Sequence, residues 1–304
     1  LFEEQPGDAE IKSWSQEFRL VSASNQPFTW MLGGLYASDT IDERRSGRLD
    51  DNILGLGGLL PPPFVNTRTF TQESQSWAIY AQAGYDVTSQ LNLNGSLRYT
   101  DDTRKLINYN HFFGPPATGF LLVSNVNKRV DLQSHWSGHV GLDFKPNDDM
   151  LIYAKVTRGY KAGGFFGGFA LAAGELEPYL EETVWSYEAG LKMQITPTLT
   201  LNGAAYYYDY ADVQGFLTVF NPQLNQTLTK LGNIGDARHI GTEAEIIWKP
   251  VSGLSLQASV ATIDAKITDS SAVASTYDGQ TYSFEGLRRI NAPKFSYNTM
   301  ARYD

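Results

Sequence analysis

The sequence predicts an all-β chain, the wall of a transmembrane antiparallel up-and-down β-barrel. Three observations predict it. Segments alternate apolar and polar residues with period two, so each has one greasy face and one wet face. Most exceed the roughly 5–6 residues usual in soluble sheets and approach the roughly 9–11 that cross a bilayer. Short polar turns alternate with long irregular connections, so the two ends of the sheet differ, as they do in outer-membrane barrels.

The first strand is read from Ile11 to Leu20 and is followed by a turn at Ser22 to Pro27. A long loop over 45–68 leads to a strand at Gln72 to Tyr85, with Trp77, Ile79, Ala81, Ala83 and Tyr85 on one face. After the turn Asp86 to Gln90, Leu91, Leu93, Gly95, Leu97 and Tyr99 alternate with Asn92, Asn94, Ser96, Arg98 and Thr100. A second loop over 105–128 precedes one continuous alternating block from Val130 to Lys145, which places Leu132 with Trp136, Val140, Leu142 and Phe144 on the lipid side. The turn Lys145 to Met150 carries Pro-Asn-Asp-Asp, a strong turn former. Beyond a strand around Ile152 and a loop over 160–183, the segment Val184 to Met193 alternates Trp185, Tyr187, Ala189, Leu191 and Met193 with Glu188, Gly190 and Lys192. The turn Ile195 to Thr198 and a loop over 211–236 bring the chain to Ile240–Trp248, which alternates with Gly241, Glu243 and Glu245. The turn Lys249 to Gly253, a strand Leu254 to Val260, a loop over 268–290 and a last strand Phe295 to Tyr303 complete about eleven strands. Aromatics at strand ends (Tyr85, Tyr99, Phe144, Tyr153, Trp185 and Trp248) are expected in interfacial girdles. The long connections, with Gly167 and Pro62, are expected outside the cell, and the turns holding Asn147 and Ser252 in the periplasm.

Composition agrees with this reading. The chain is 42% hydrophobic and 19% charged with a mean hydropathy of −0.30. A membrane barrel hides its apolar surface in alternation, so a mildly polar mean is expected, and no run of about 20 apolar residues exists to form a spanning helix. There is no cysteine, which excludes disulfides, thiolate metal sites and a cysteine nucleophile. A net charge of −9 argues against nucleic acid as a partner. The chain starts and stops inside strand-like text, so it is expected to be a piece of a longer one.

Several segments resemble the barrel of TonB-dependent outer-membrane receptors. Ser15-Gln16-Glu17-Phe18-Arg19-Leu20 with Trp30 and Gly34-Leu35-Tyr36 is similar to an early hairpin of that family. Leu97-Arg98-Tyr99-Thr100-Asp101-Asp102 resembles its strand exit, and Ile152 to Phe165 its Y-A-x-x-x-x-G-Y-K-x-G-G-F segment. Trp185 to Lys192, Asn233 to Ala237 with Gly241 to Glu245, and Asn291-Ala292-Pro293-Lys294 resemble later stretches in the same order. The resemblance implies a barrel of about 22 strands filled by a plug, barrels of that size being plugged transporters. On that basis residues 1–304 are about half of a barrel domain, with the plug, the TonB box and the C-terminal strands outside this chain. It also implies outer-membrane lipid, the protein's own plug and the inner-membrane TonB complex as partners. The ligand implied is small and scarce, most often a ferric siderophore, with a glycan or a vitamin as alternatives and a passive porin as the rival class.

Catalytic and metal motifs are weak. His135 and His139 would share one face of a helix, but on a strand they lie roughly 13 Å apart and cannot hold one zinc. Gly163 to Gly168 lacks the G-K-[ST] ending of a phosphate loop, and H-E-x-x-H and G-x-S-x-G are absent. No enzyme activity, cofactor or metal is expected. Arg19, Arg98, Lys155, Arg158, Glu188, Lys192, Glu243 and Glu245 are expected to point into the lumen, as a solvated ladder bonded to the plug or as a path for an anionic ligand. Phe165, Phe166, Phe169 and Tyr179 are the candidate ligand-facing aromatics of the 160–183 loop, the alternative being packing within the loop.

Overall fold

The computed structural model describes residues 3–49, 64–114, 119–221, 226–270, 272–275 and 280–304. The wall is one antiparallel sheet whose strands follow chain order. It contains β1 (Glu3–Val21), β2 (Phe28–Leu49), β3 (Phe64–Asp86), β4 (Leu91–Gly114), β6 (His135–Asn147), β7 (Met150–Lys161), β8 (Glu182–Thr196), β9 (Leu199–Ala211), β12 (Asp236–Trp248), β13 (Leu254–Asp269) and β16 (Phe295–Tyr303). These are eleven wall strands, the number read from the alternation. β5 (Phe120–Asp131) pairs with the upper half of β4, while β10 (Gln214–Asn221) with β11 (Gln226–Asn233), and β14 (Val273–Ser275) with β15 (Thr281–Ser283), form separate hairpins. The five short turns fall where turn chemistry placed them, all at one end of the sheet.

The opposite end is more ordered than the sequence suggested. Residues 105–114 continue β4, 120–128 belong to β5, and the loops over 211–236 and 268–290 each contain a hairpin. Pro62 and much of the 45–68 loop lie outside the described residues. The reason 105–128 reads as a loop is a pair of bulges. Asn108 and Asn125 both take the left-handed conformation (φ 52° and 49°), which asparagine tolerates better than most residues. The Asn108 amide donates to the Asn127 side chain at 3.0 Å, and the Asn125 amide donates to that of Asn110 at 2.8 Å. Each bulge resets the period of two, so alternation stops being visible although the strands continue.

Register sorts the side chains. Tyr36 pairs with Trp77, Ile79 with Tyr99, Tyr99 with Trp136, Val140 with Val156, Tyr187 with Tyr207, and Tyr207 with Ile240, so these residues share one face. All but the half-buried Tyr99 are exposed, as expected of a lipid-facing surface. Trp14 meets Tyr36 at 5.6 Å, Trp77 meets Tyr99 at 5.5 Å and Tyr99 meets Trp136 at 5.0 Å, forming an upper aromatic band across β1 to β6. Phe28, Tyr85, Phe144, Trp248 and Tyr303 are exposed near the turn end. Trp136 and Phe144 are separated by about 26 Å of strand, close to the roughly 25 Å apolar band of such barrels.

Two expected placements on this wall are corrected. Val130 to Lys145 is not one strand: β5 ends at Asp131 and β6 begins at His135. At this break β4 exchanges β5 for β6 as its neighbour. Leu132 donates its amide to the Asp102 carbonyl at 3.0 Å and is buried at 6% exposure against the chain at Gly163, so it does not face lipid. Tyr153 is not a girdle residue. It sits on the polar face, where its hydroxyl donates to Glu188 at 2.8 Å. Its ring covers the directly opposed Gly190, as Tyr80 covers Gly33 and Tyr206 covers Gly241. In each pair a Cβ on the glycine would overlap the ring, so the bare backbone is what lets the tyrosine lie flat along the wall.

Candidate functional site

The polar face carries a row of tyrosines that sequence reasoning missed. Tyr206, Tyr208 and Tyr210 alternate along β9, with ring centroids 4.7 Å and then 6.4 Å apart, and Tyr210 meets His239 at 4.7 Å. Tyr207 between them faces outward, so aromatics occupy both faces and the alternation that marks a wall strand is masked. Among the expected lumen charges, Lys155 and Glu188 are directly paired on β7 and β8 at 3.1 Å. Glu245 accepts from Asn202 at 3.0 Å and from Gln257 at 2.6 Å. Glu243 shares the face of Glu245 by alternation, and Lys192 is exposed on that of Glu188. Arg19 is ion-paired with Glu17, which also accepts from the Tyr80 hydroxyl at 2.6 Å, and Arg98 lies over the Tyr80 ring at 5.6 Å.

Arg158 is a correction. It pairs with Gly138 and with Trp185, which puts it on the apolar face. Its guanidinium lies 5.8 Å over the Trp185 ring and donates to the Trp136 carbonyl at 3.0 Å. An arginine can lie here because its stem rests on the band while its head reaches the headgroup level.

The 162–181 segment forms a strap across the polar side of the extended β3–β4–β5 wall. The Asn108 bulge turns Tyr109 to that side. Phe70, Leu106, Tyr109 and Val123 from the wall, with Phe165, Ala170 and Leu176 from the strap, make one buried cluster. Tyr109 donates its hydroxyl to the Gly168 carbonyl at 2.6 Å, and burial pushes its pKa up to about 12. Gln72 donates to the Phe165 carbonyl at 3.0 Å. His111 is fully buried between the Ala170 carbonyl at 2.6 Å from Nδ1 and the Asn66 side chain at 2.7 Å from Nε2. Burial holds its pKa below the ordinary imidazole value. Gly167 lies under the Phe70 ring, where a side chain would not fit.

The candidate aromatics therefore divide. Phe165 is inside the cluster. Phe166 is half-buried and meets Phe216 of β10 edge-on at 6.1 Å, while Phe169 meets His111 at 4.5 Å. Tyr179 exchanges backbone hydrogen bonds with Gly164 at 3.0 and 2.9 Å, closing the neck of the strap. The Gln214 carboxamide donates to the carbonyls of Ala162 and Leu180, both at 3.0 Å, and anchors the neck to β10. On the other side Glu181 meets His135 at 3.1 Å; His135 stacks on Tyr160 at 4.4 Å, and the Tyr160 hydroxyl donates to Asp102 at 2.7 Å. His139 is held separately, with Ser96 at 2.8 Å, so the two histidines do not converge.

Comparison with known proteins gives four findings. Residues 5–304 match the family model described as TonB dependent receptor-like, beta-barrel. The pesticin receptor of Yersinia pestis is 24% identical over 257 residues, covering 84% of this chain and 34% of that receptor. The crystal structure of the ferric yersiniabactin uptake receptor from Yersinia pestis superposes with a TM-score of 0.73 at 18% identity, over 96% of this chain and 40% of the other. A siderophore receptor from Acinetobacter baumannii gives 0.70 at 14% identity, over 98% of this chain and 44% of the other. This chain spans less than half the length of each.

Proposed function

Because the chain belongs to the TonB-dependent receptor-like β-barrel family, a family of bacterial outer-membrane receptors, we propose that it is half the wall of a receptor that imports a scarce, bulky ligand. A ferric siderophore is the ligand we favour over a glycan or a vitamin. Import is energised through TonB acting on a plug domain that residues 1–304 do not contain, and the protein is a transporter, not an enzyme. The observation that carries the reading is the strap. An aromatic segment is fastened by a buried cluster to the polar side of the extended β3–β4–β5 wall, where a passive porin needs only an open polar channel. In this reading Phe166, Phe169 and Tyr179 face the ligand, with Phe165 as their anchor. Arg19, Arg98, Lys155, Glu188, Lys192, Glu243 and Glu245 face the plug. Uptake of labelled ferric siderophores by cells carrying the full-length receptor should vanish in the knockout and on collapse of the proton-motive force. Uptake indifferent to that collapse would return the protein to the porin class.

The orientation follows from the asymmetry of the ends. A cysteine at Gly174, exposed in the same strap with open space for a side chain, should react with a membrane-impermeant reagent on whole cells, and cysteines at Asn147 or Ser252 only after permeabilisation. Labelling at 147 on intact cells would invert the assignment.

A further inference from the structure

One row of the polar face is rich in donors and poor in partners. Thr157 pairs with Ser186, Ser186 with Tyr208, Tyr208 with His239, and His239 with Ala265. The Arg289 amide donates to the Ala265 carbonyl at 3.0 Å, and its neighbour Arg288 bridges to Lys266 on the outer face, so Arg289 falls on the face of Ala265. Thr157 to Ala265 spans four strand spacings, about 19 Å. Ser186 adjoins Trp185 on β8, so the row lies at the height of the upper aromatic band. Thr157, Ser186, Tyr208, His239 and Arg289 all bring donors, and no carboxylate interrupts them.

The rows on either side differ. Two positions nearer the turn end, Lys155 and Glu188 close on each other at 3.1 Å. Two positions further out, Val184, Tyr210, Ala237 and Ile267 make an apolar row. Ala237 and Ile267 belong to a buried cluster with Val213 and Ile234, on which Tyr210 packs. A polar ledge therefore lies directly beneath an apolar one, with tyrosine rings on both.

Two groups of the ledge are unsatisfied. His239 Nε2 is buried and has no hydrogen-bond partner among the described residues, although its ring meets Tyr210 at 4.7 Å. A buried polar atom without a partner costs free energy, and such atoms are rare. Arg289 is half-buried and its charge acts on both His239 and Tyr210, yet no ion pair holds it among the described residues. The nearby carboxylates are engaged or turned away. Glu182 accepts from the Gln214 amide at 2.7 Å, Glu188 holds Lys155 and Tyr153, and Asp209 and Asp264 lie on the outer face.

We propose that this ledge holds the carboxylate of an aromatic ligand, with Arg289 and His239 as its donors and the ligand's ring against Tyr208 and Tyr210. One unpaired guanidinium matches one negative charge, and its planar fork suits a carboxylate. Phenol rings supply flat apolar surface for another ring. The site rests on the import reading given above and adds an aromatic acid as the class of ligand.

The test uses the full-length receptor in detergent and the fluorescence anisotropy of two probes. 2-Naphthoate should bind about tenfold tighter than 2-naphthamide, which keeps the rings and loses the charge, since hydrogen bonds to charged groups are the stronger ones. Arg289→Gln should bring naphthoate down to the naphthamide affinity. His239→Phe, which keeps a ring and loses the nitrogens, should cost naphthoate severalfold and spare naphthamide. Lys249→Gln, at the turn end, should change neither. Equal binding of the two probes by the wild-type receptor overturns the site, and this contrast holds even where a variant lacks the heat-modifiable mobility of a folded barrel. A naphthoate preference that survives Arg289→Gln overturns it by placing the carboxylate elsewhere. Displacement of naphthoate by millimolar inorganic phosphate overturns it by reducing the ledge to a simple anion site. Import and ledge fail separately: a receptor blind to the naphthoate charge can still take up siderophore on the proton-motive force, and one that prefers naphthoate can still prove a porin.

Discussion

Val140→Arg in the full-length receptor is expected to destabilise the folded state in lipid vesicles by about 2–4 kcal/mol, the range for a cation at the midplane of a barrel's lipid face. Val140 lies midway between Trp136 and Phe144 on β6, is 69% exposed, and is flanked across the sheet by Gly95 and Val156. An arginine there has no water, and its head is about 13 Å of strand from either aromatic band, too far for full relief by snorkelling. His139→Arg, one residue away, should cost far less, because that side chain faces the polar side and touches Ser96. Denaturant titration in vesicles of fixed thickness reads both. Equal costs would mean that the register is shifted by one residue, which exchanges the two faces along the whole strand.

How much of this was legible in sequence depends on what each face touches. Where one face meets lipid and the other water, as in Leu91–Tyr99 and Val184–Met193, the alternation placed every side chain. The short turns were legible for a similar reason, since Pro-Asn-Asp-Asp and Pro-Val-Ser-Gly admit few backbone paths. Three places were not legible. At Asn108 and Asn125 an inserted residue resets the period, so well-formed strand reads as loop. At Leu132 the alternation continues through a break in pairing, because an apolar residue buried under the strap and one facing lipid look alike in text. At Arg158 the alternation was correct: the residue shares the face of Val156 and Ile152. The expectation that a charge must turn inward overrode it, although an aromatic band and the headgroups beside it can hold a cation. The strap escaped notice because its partners, Phe70, Tyr109 and Val123, are remote in sequence and come together only through the bulges.

Phe165→Ala should release the strap while leaving the wall intact. Removing a buried phenyl ring costs the transfer free energy and leaves a cavity, together about 3–5 kcal/mol for a core phenylalanine. Here the loss falls on a local attachment, because the ring packs on Phe70, Leu106 and Tyr109 and does not take part in the strand ladder of β6 to β9. Local opening is set by such contacts, not by the global stability. Hydrogen exchange on the full-length receptor should show amides of 164–176 losing protection by two orders of magnitude or more, about 1.4 kcal/mol per order, with β6 to β9 unchanged. Tyr109→Phe, which deletes only the hydrogen bond to Gly168, should cost about 1 kcal/mol. Acid should act in the same direction. The docked His111 has a depressed pKa, so an undocked strap that exposes it binds a proton more readily than the docked one. Docking is therefore unaffected above about 6.5, the value of a free imidazole, and weakens as the pH falls below it. In His111→Asn the acid dependence should disappear. Strap protection that ignores both Phe165→Ala and a fall from pH 7.5 to 5 would show that the neck, held by Gln214 and Tyr179, carries the attachment and that the buried cluster does not.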